Sequence, residues 1–209
     1  MHSTLFAVLA LSLPNLLSAS PLSRRAVDFV NPTLAGGSFL DKSAGLGEPL
    51  NVIISAQSSP EVLTPSGFIQ YAQVIGFNIE CLGLHLGNPQ SANLGDGRGD
   101  EVLRESFGIP GVGTCLESLT GGNHFRVFPQ GGTGALFLAV SKEEDVSEQH
   151  NIVPNGYTSG ATRSSRMRSF TTYKTVLTEL TGLLAPGSDG VNHGIAQDGV
   201  VKMLTVTIK

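Results

Sequence analysis

The chain has 209 residues, enough for one domain with a sizeable core. Hydrophobic residues make up 40% and charged residues only 14%, about half the usual charged share, which excludes disorder over most of the length. The net charge is -4 with no long basic run, which excludes a nucleic-acid partner held by clustered Lys and Arg.

In chain order, "MHSTLFAVLALSLPNLLSAS" has an apolar centre from Leu5 to Leu17 followed by Ser18, Ala19 and Ser20, the pattern of a secretory signal peptide over residues 1–20. Its apolar run is too short to span a bilayer and is interrupted by Pro14, and no second run of spanning length follows, so no membrane span is expected. Residues 21–25 end in Arg24-Arg25, which reads either as a dibasic processing site closing a short pro-segment or as a plain basic pair at a terminus. Residues 26–45 are expected as a loosely packed arm, and residues 46–209 as a single domain. Cys81 and Cys115 are the only cysteines. In an oxidising compartment such a pair suggests a disulfide, closing a loop of roughly 35 residues worth about 4 kcal/mol in the chain-entropy account.

"PLNVIIS", Pro49 to Ser55, is rich in branched residues and predicts a buried strand. Ser59-Pro60 and Thr64-Pro65 are cap and first-turn pairs; Phe68, Ile69, Ala72 and Ile75 then have helical spacing, and Gly76 can end the helix. Asn78 to Leu86 alternates as a second strand, with Cys81 and His85 on one face. The turn-rich loop beyond it contains Arg98-Gly99-Asp100, an integrin-type tripeptide of a kind that recurs by chance, and "EVLRESFG" predicts a short helix. "NHFRVF" and "ALFLAV", separated by "PQGGTG", predict a hairpin whose second strand, apolar throughout, is central to its sheet. "NIVPNGYTSGATRSSRMR" reads as irregular. "SFTTYKTVLTELTGLL" places Tyr173, Val176, Leu177 and Leu180 on one helical face, and "VVKMLTVTI" closes as a strand.

The chemistry of interest lies in "GGNHFRVF". His124, Arg126 and Phe128 point to one side of the strand, Phe125 and Val127 to the other. With Phe125 and Val127 facing the core, His124 and Arg126 would face a groove or solvent. The acidic cluster Glu143, Glu144 and Asp145, with His150 beyond it, follows the partner strand, and a hairpin brings its end back toward Asn123. Three readings stand open. His124 is a general base held by a carboxylate, with Arg126 binding an anion; or His124, His150 and an acidic residue bind a metal; or the residues are structural, with Arg126 paired to Glu143 or Asp145 and His124 capping a loop. No tight His-x-His or His-x3-His spacing supports the metal, so no cofactor or metal is expected. His193 falls in a turn before the last strand. There is no Gly-x-Ser-x-Gly nucleophile signature and no phosphate loop.

"FVNPTLAGGSFLD", "GLGEPLNVIIS", "GFIQYAQVIGFNIECLGLHLG", "GTCLESLTGGNHFRVF" and "GALFLAVSKEEDVSEQHNIVPNGY" resemble a family of secreted proteins of filamentous fungi without an assigned activity. More distantly the pattern is similar to the bacterial LssY C-terminal domain. There a "PLNV"-type strand leads to a helix ending in Gly-Phe or Gly-Trp, followed by a His-x-Arg strand, an apolar strand and a downstream His. Here these fall at Pro49–Val52, Gly76-Phe77, His124 with Arg126, Ala135–Val140 and His150. The family continues after Gly-Tyr into Gly-Arg-Asp, whereas this chain has Gly160-Ala161-Thr162, with Arg163 out of register. The resemblance implies secretion and an α/β fold, and no reaction.

The expectation is therefore a single secreted α/β domain. It has a mixed β-sheet with a β-hairpin, two or three packed helices and one disulfide. The first function expected is that of an extracellular binding or interaction (effector-like) protein, whose partner would be another extracellular protein, a cell-wall component or a small ligand. The alternative is a small hydrolase or anion-binding enzyme centred on His124, Arg126 and His150.

Overall fold

The computed structural model describes residues 27–35, 37–43, 46–79, 90–100, 103–107, 121–148, 151–165 and 172–209. The described strands are β1 (Phe39–Ser43), β2 (Leu46–Pro49), β3 (Val52–Ile54), β4 (Phe77–Ile79), β5 (Ser91–Asn93), β6 (Arg98–Asp100), β7 (Leu103–Phe107), β8 (Gly122–Pro129), β9 (Leu136–Glu143), β10 (Tyr173–Leu180) and β11 (Val201–Ile208). Two α-helices are described, α1 (Pro65–Val74) and α2 (Gly156–Ser165).

The architecture grows from the hairpin of β8 and β9, paired without a slip from Gly122↔Glu143 to Pro129↔Leu136. β9 is the fourth strand of a seven-stranded sheet ordered β10-β11-β3-β9-β8-β7-β4. That position explains its unbroken apolar run, because both of its faces are covered. The sheet is mixed: β11 and β3 run parallel, and every other neighbouring pair is antiparallel.

Alternation along the strands divides the core into two. On one face Val52, Ile54, Phe125, Val127, Leu138, Val140, Leu204 and Val206 meet Phe68, Tyr71 and Ala72 of α1 and Ala161 of α2. Phe125 is wedged between Phe68, at 5.6 Å, and Phe77, at 4.6 Å. On the other face Ile53, Phe128, Phe137, Ala139, Val201 and Met203 are covered by Leu40, Leu50, Ala92, Leu94, Leu183 and Leu184. Helices thus cover one side, and hairpins and connections cover the other.

α1 begins as its sequence suggests: the Thr64 side chain accepts from the Gly67 amide, Pro65 opens the first turn, and Gly76 at φ 95 leaves the helix. Ser59 does not cap the 3-10 turn that follows it (Pro60–Leu63); its hydroxyl instead accepts from the Ile208 amide.

Four expectations are corrected. Residues 103–107 form β7 against β8 rather than a helix; five residues make little more than one helical turn, whereas β8 offers a ladder. Residues 173–180 form β10, paired over their whole length with β11. Their helix-like spacing is coincidental, because Tyr173 and Leu177 lie on one face of the strand and Val176 and Leu180 on the other; the branched Thr175, Val176 and Thr178 are the better signal. The supposedly irregular stretch holds α2, which buries Tyr157 and the small residues Gly156, Gly160, Ala161 and Ser164 rather than an apolar stripe. Finally, the described part of 26–45 is packed. Leu40 lies in the core, Phe29 stacks edgewise on Phe137, and buried Gln130 accepts from the Val30 amide while donating to the Val30 and Leu94 carbonyls.

Cys81, Cys115, His85, Arg24, Arg25 and residues 1–25 lie outside the described residues.

A buried polar cluster at the end of the central hairpin

Arg126 and His124 occupy the strand face opposite the helices, together with Phe128, as alternation requires. His124 is buried, which corrects the expectation for it, whereas Arg126 keeps a partly exposed edge. His124 is 5% exposed, and its cross-strand neighbours are Ser106 and Ser141. The Arg126 side chain is 19% exposed. Its neighbour on β9 is Ala139, which is small enough for the guanidinium to lie across the strand. There it meets Glu48 of β2, with Nη1 3.8 Å from a carboxylate oxygen that is 8% exposed by side chain. Burial pulls the Arg126 pKa below its ordinary value, and Glu143 and Tyr157 push it back up.

Tyr157 enters from the first turn of α2. Two glycines bring that helix down on β9. A Cβ on Gly160 would stand 2.9 to 3.0 Å from the Ser141 backbone, and one on Gly156 would meet the Lys142 carbonyl at 2.6 Å. Only glycine permits so close an approach. Tyr157 is fully buried with Ile152 and Val191, and among the described residues its hydroxyl has no hydrogen-bond partner. Burial raises its pKa far above the ordinary tyrosine value, Glu48 raises it further, Arg126 lowers it and Glu143 raises it again.

Asn51 holds these parts in register. Its backbone continues the sheet, with its amide donating to Leu138 and its carbonyl accepting from Lys202. Its side-chain amide then stands in for a missing strand residue. Nδ2 donates to the Val140 carbonyl at 2.6 Å and to the Tyr157 carbonyl at 3.1 Å, and Oδ1 accepts from the Val140 amide at 2.9 Å. One buried side chain therefore joins β3, β9 and α2.

The acidic stretch serves its own turn as well as this cluster. The Asp145 carboxylate accepts from both the amide and the hydroxyl of Ser147. The Glu144 amide donates to the Asn151 carbonyl, and Glu143 bridges to Ile152, so the chain folds back along the end of β9. The hairpin register does bring His124 near that end, two residues from the Gly122↔Glu143 pair. His150, the third member of the expected site, lies outside the described residues. His193 sits in the turn before β11, at φ 59.

Sequence reasoning missed Glu48, Asn51 and Tyr157. A charged residue within "GEPLNV" and an Asn before a branched strand are detectable signals, but their meaning depends on which strand lies alongside. Among the described residues, no group of three or more His, Cys, Asp or Glu side chains is placed to hold a metal. No described helix is long and apolar enough to cross a membrane.

Chemically the described part of the cluster brings the Arg126 cation, the Glu48 and Glu143 carboxylates and a neutral phenol together in a largely buried region. Glu48 and Glu143 both act on the positive charge of Arg126, whose cross-strand neighbour on β7 is Arg104. Phenylalanine at 157 removes a buried hydroxyl without a partner, so the variant should be more stable by about 1–2 kcal/mol in urea unfolding. Tyr71, whose pKa is also raised, chiefly by burial, is the second tyrosine held neutral. Both folded pKa values exceed the unfolded one of about 10, so the stabilisation is complete below that pH and falls as pH rises above it. The expected slope is about 1.4 kcal/mol per pH unit for each tyrosine. Tyr157→Phe should halve it.

Comparisons of the chain with protein-family models, with characterised proteins and with solved structures find no match.

Proposed function

We propose that the protein is a secreted, extracellular binding or interaction protein rather than an enzyme acting on an anion through His124, Arg126 and His150. The observation that carries this reading is the ion pair of Arg126 with Glu48, with Glu143 contributing a second negative charge. An anion-binding arginine presents a free guanidinium edge to its ligand. Here the guanidinium is largely covered and lies beside the Glu48 carboxylate, with Glu143 acting on it as well, and both carboxylates disfavour a phosphate or carboxylate ligand. The cluster's first role is to fasten β2, β8 and α2 together.

The signal-peptide pattern of residues 1–20 supports secretion, and Arg24-Arg25 supports a processed start near Ala26. In that compartment Cys81 and Cys115 form a disulfide in this reading. The resemblance to the fungal secreted family, and more distantly to the LssY C-terminal domain, is part of the same proposal. The partner is an extracellular protein, a cell-wall component or a small uncharged ligand.

A thermal-shift panel of phosphate esters, small carboxylates, sugars and divalent metals tests this. A ligand at a hundred times its Kd adds about 2.7 kcal/mol, a rise of roughly 5–10 °C for a chain of this size. The expected result is no shift with phosphate esters or carboxylates. A shift of that size with an anion, abolished by His124→Ala, would replace this reading with the enzyme.

A further inference from the structure

We propose that β10 is a self-association edge, at which a second copy of this chain pairs antiparallel through the same strand and joins two seven-stranded sheets into one. β10 is the terminal strand of the sheet, and none of the described segments pairs with its outer side. It is eight residues long, pairs with β11 without a bulge, and contains no proline. Proteins usually blunt such an edge, because its open N–H and C=O groups are a template for another strand.

The hydrogen-bonding parity of that edge follows from one contact. The Lys209 amide donates to the Thr172 carbonyl just beyond the strand end. Antiparallel ladders alternate, so Lys174, Val176, Thr178 and Leu180 direct their backbone groups toward β11. The N–H and C=O groups of Tyr173, Thr175, Leu177 and Glu179 therefore point outward. A twofold axis perpendicular to the sheet pairs residues of like parity. Centred on Val176, it sets Thr175 against Leu177 and Tyr173 against Glu179 of the other copy, so that all four outward residues form hydrogen-bonded pairs.

The side chains fit this register. Val176 and Leu177, 51% and 42% exposed, are the large apolar residues left uncovered on β10, and they lie at its middle. Val176 would meet its own copy, and Leu177 would meet Thr175. Lys174 falls opposite Thr178, and Glu179 opposite Tyr173, so no like charges are opposed, as cross-strand pairing requires. The outward-facing strand is thus complementary to itself in backbone, apolar side chains and charge. Pairing over one strand buries less area than a permanent dimer needs, so the association is reversible and concentration-dependent.

Sedimentation velocity on the purified protein up to about 0.5 mM, the range of weak interfaces, reads this directly. The expected result is a weight-average mass that climbs toward twice that of the chain. Val176→Lys, which sets two lysines face to face on the twofold, should stay monomeric at every concentration with an unchanged melting temperature when dilute. Val176→Cys provides a check that does not depend on disruption. The 176–176 pair is non-hydrogen-bonded, the closer kind, and should oxidise to a covalent dimer where Lys174→Cys does not. A wild-type protein that remains monomeric throughout, a dimer that survives Val176→Lys, or a Val176→Cys variant that cross-links no better than Lys174→Cys overturns the proposal.

Discussion

Leucine in place of Asn51 should cost about 3–6 kcal/mol, the largest loss expected from any one substitution in the polar cluster. The substitution is close in size but removes three hydrogen bonds. It leaves the amide and carbonyl of Val140 and the carbonyl of Tyr157 without these partners in a region closed to water. Each such group costs about 1–3 kcal/mol. Val140 lies on the central strand and Tyr157 at the start of α2, so the loss is shared between sheet and helix. Urea unfolding should show a lower midpoint with an unchanged slope, since the surface exposed on unfolding is the same. A loss under about 1 kcal/mol would mean that the buried groups find other partners.

Methionine in place of Arg126 is expected to cost about 3–5 kcal/mol. Its length is close to that of the arginine stem, and the substitution removes the charge that pairs with Glu48. What remains is the destabilising part: Glu48 is buried without its cation, and Glu143 stands near it. Removing one member of a buried pair costs more than the pair itself contributes, because the survivor keeps its desolvation penalty. The same protein with Glu48→Gln added should recover part of the loss.

The hairpin shows why much of this fold is legible in the sequence. "NHFRVF" and "ALFLAV" contain their own alternation and turn, and the unbroken apolar run of the second strand gives its central place. The same holds for α1, whose start and stop are both local signals, Thr64-Pro65 and Gly76. β10 and α2 are the opposite case. In β10 the apolar spacing fits a helix, and only the presence of β11 alongside selects the strand. In α2 the helix is stabilised by what it rests on: Gly156 and Gly160 are poor helix formers that permit contact with β9.

The polar cluster divides in the same way. The strand parity of His124 and Arg126 follows from the sequence, and so does their proximity to the acidic stretch. Their burial does not, because it depends on β1, β2 and the loop at Leu183-Leu184 covering that face. The partner of Arg126 was expected among Glu143 and Asp145. The Asp145 carboxylate bonds within its own turn, Glu143 raises the Arg126 pKa, and an ion pair at 3.8 Å joins Arg126 to Glu48, far away in sequence. A contact between β2 and β8 depends on sheet order, which no local pattern contains.

In the proposed role, Arg126 serves the fold through its pair with Glu48. The most direct measurement is a double-mutant cycle on urea stability with Glu48→Gln, Arg126→Met and the two combined. The account predicts that both single variants are destabilised and that the double variant loses less than their sum, with a coupling of about 1–3 kcal/mol. Additive losses within about 0.5 kcal/mol, or an Arg126→Met protein as stable as the wild type, would contradict it.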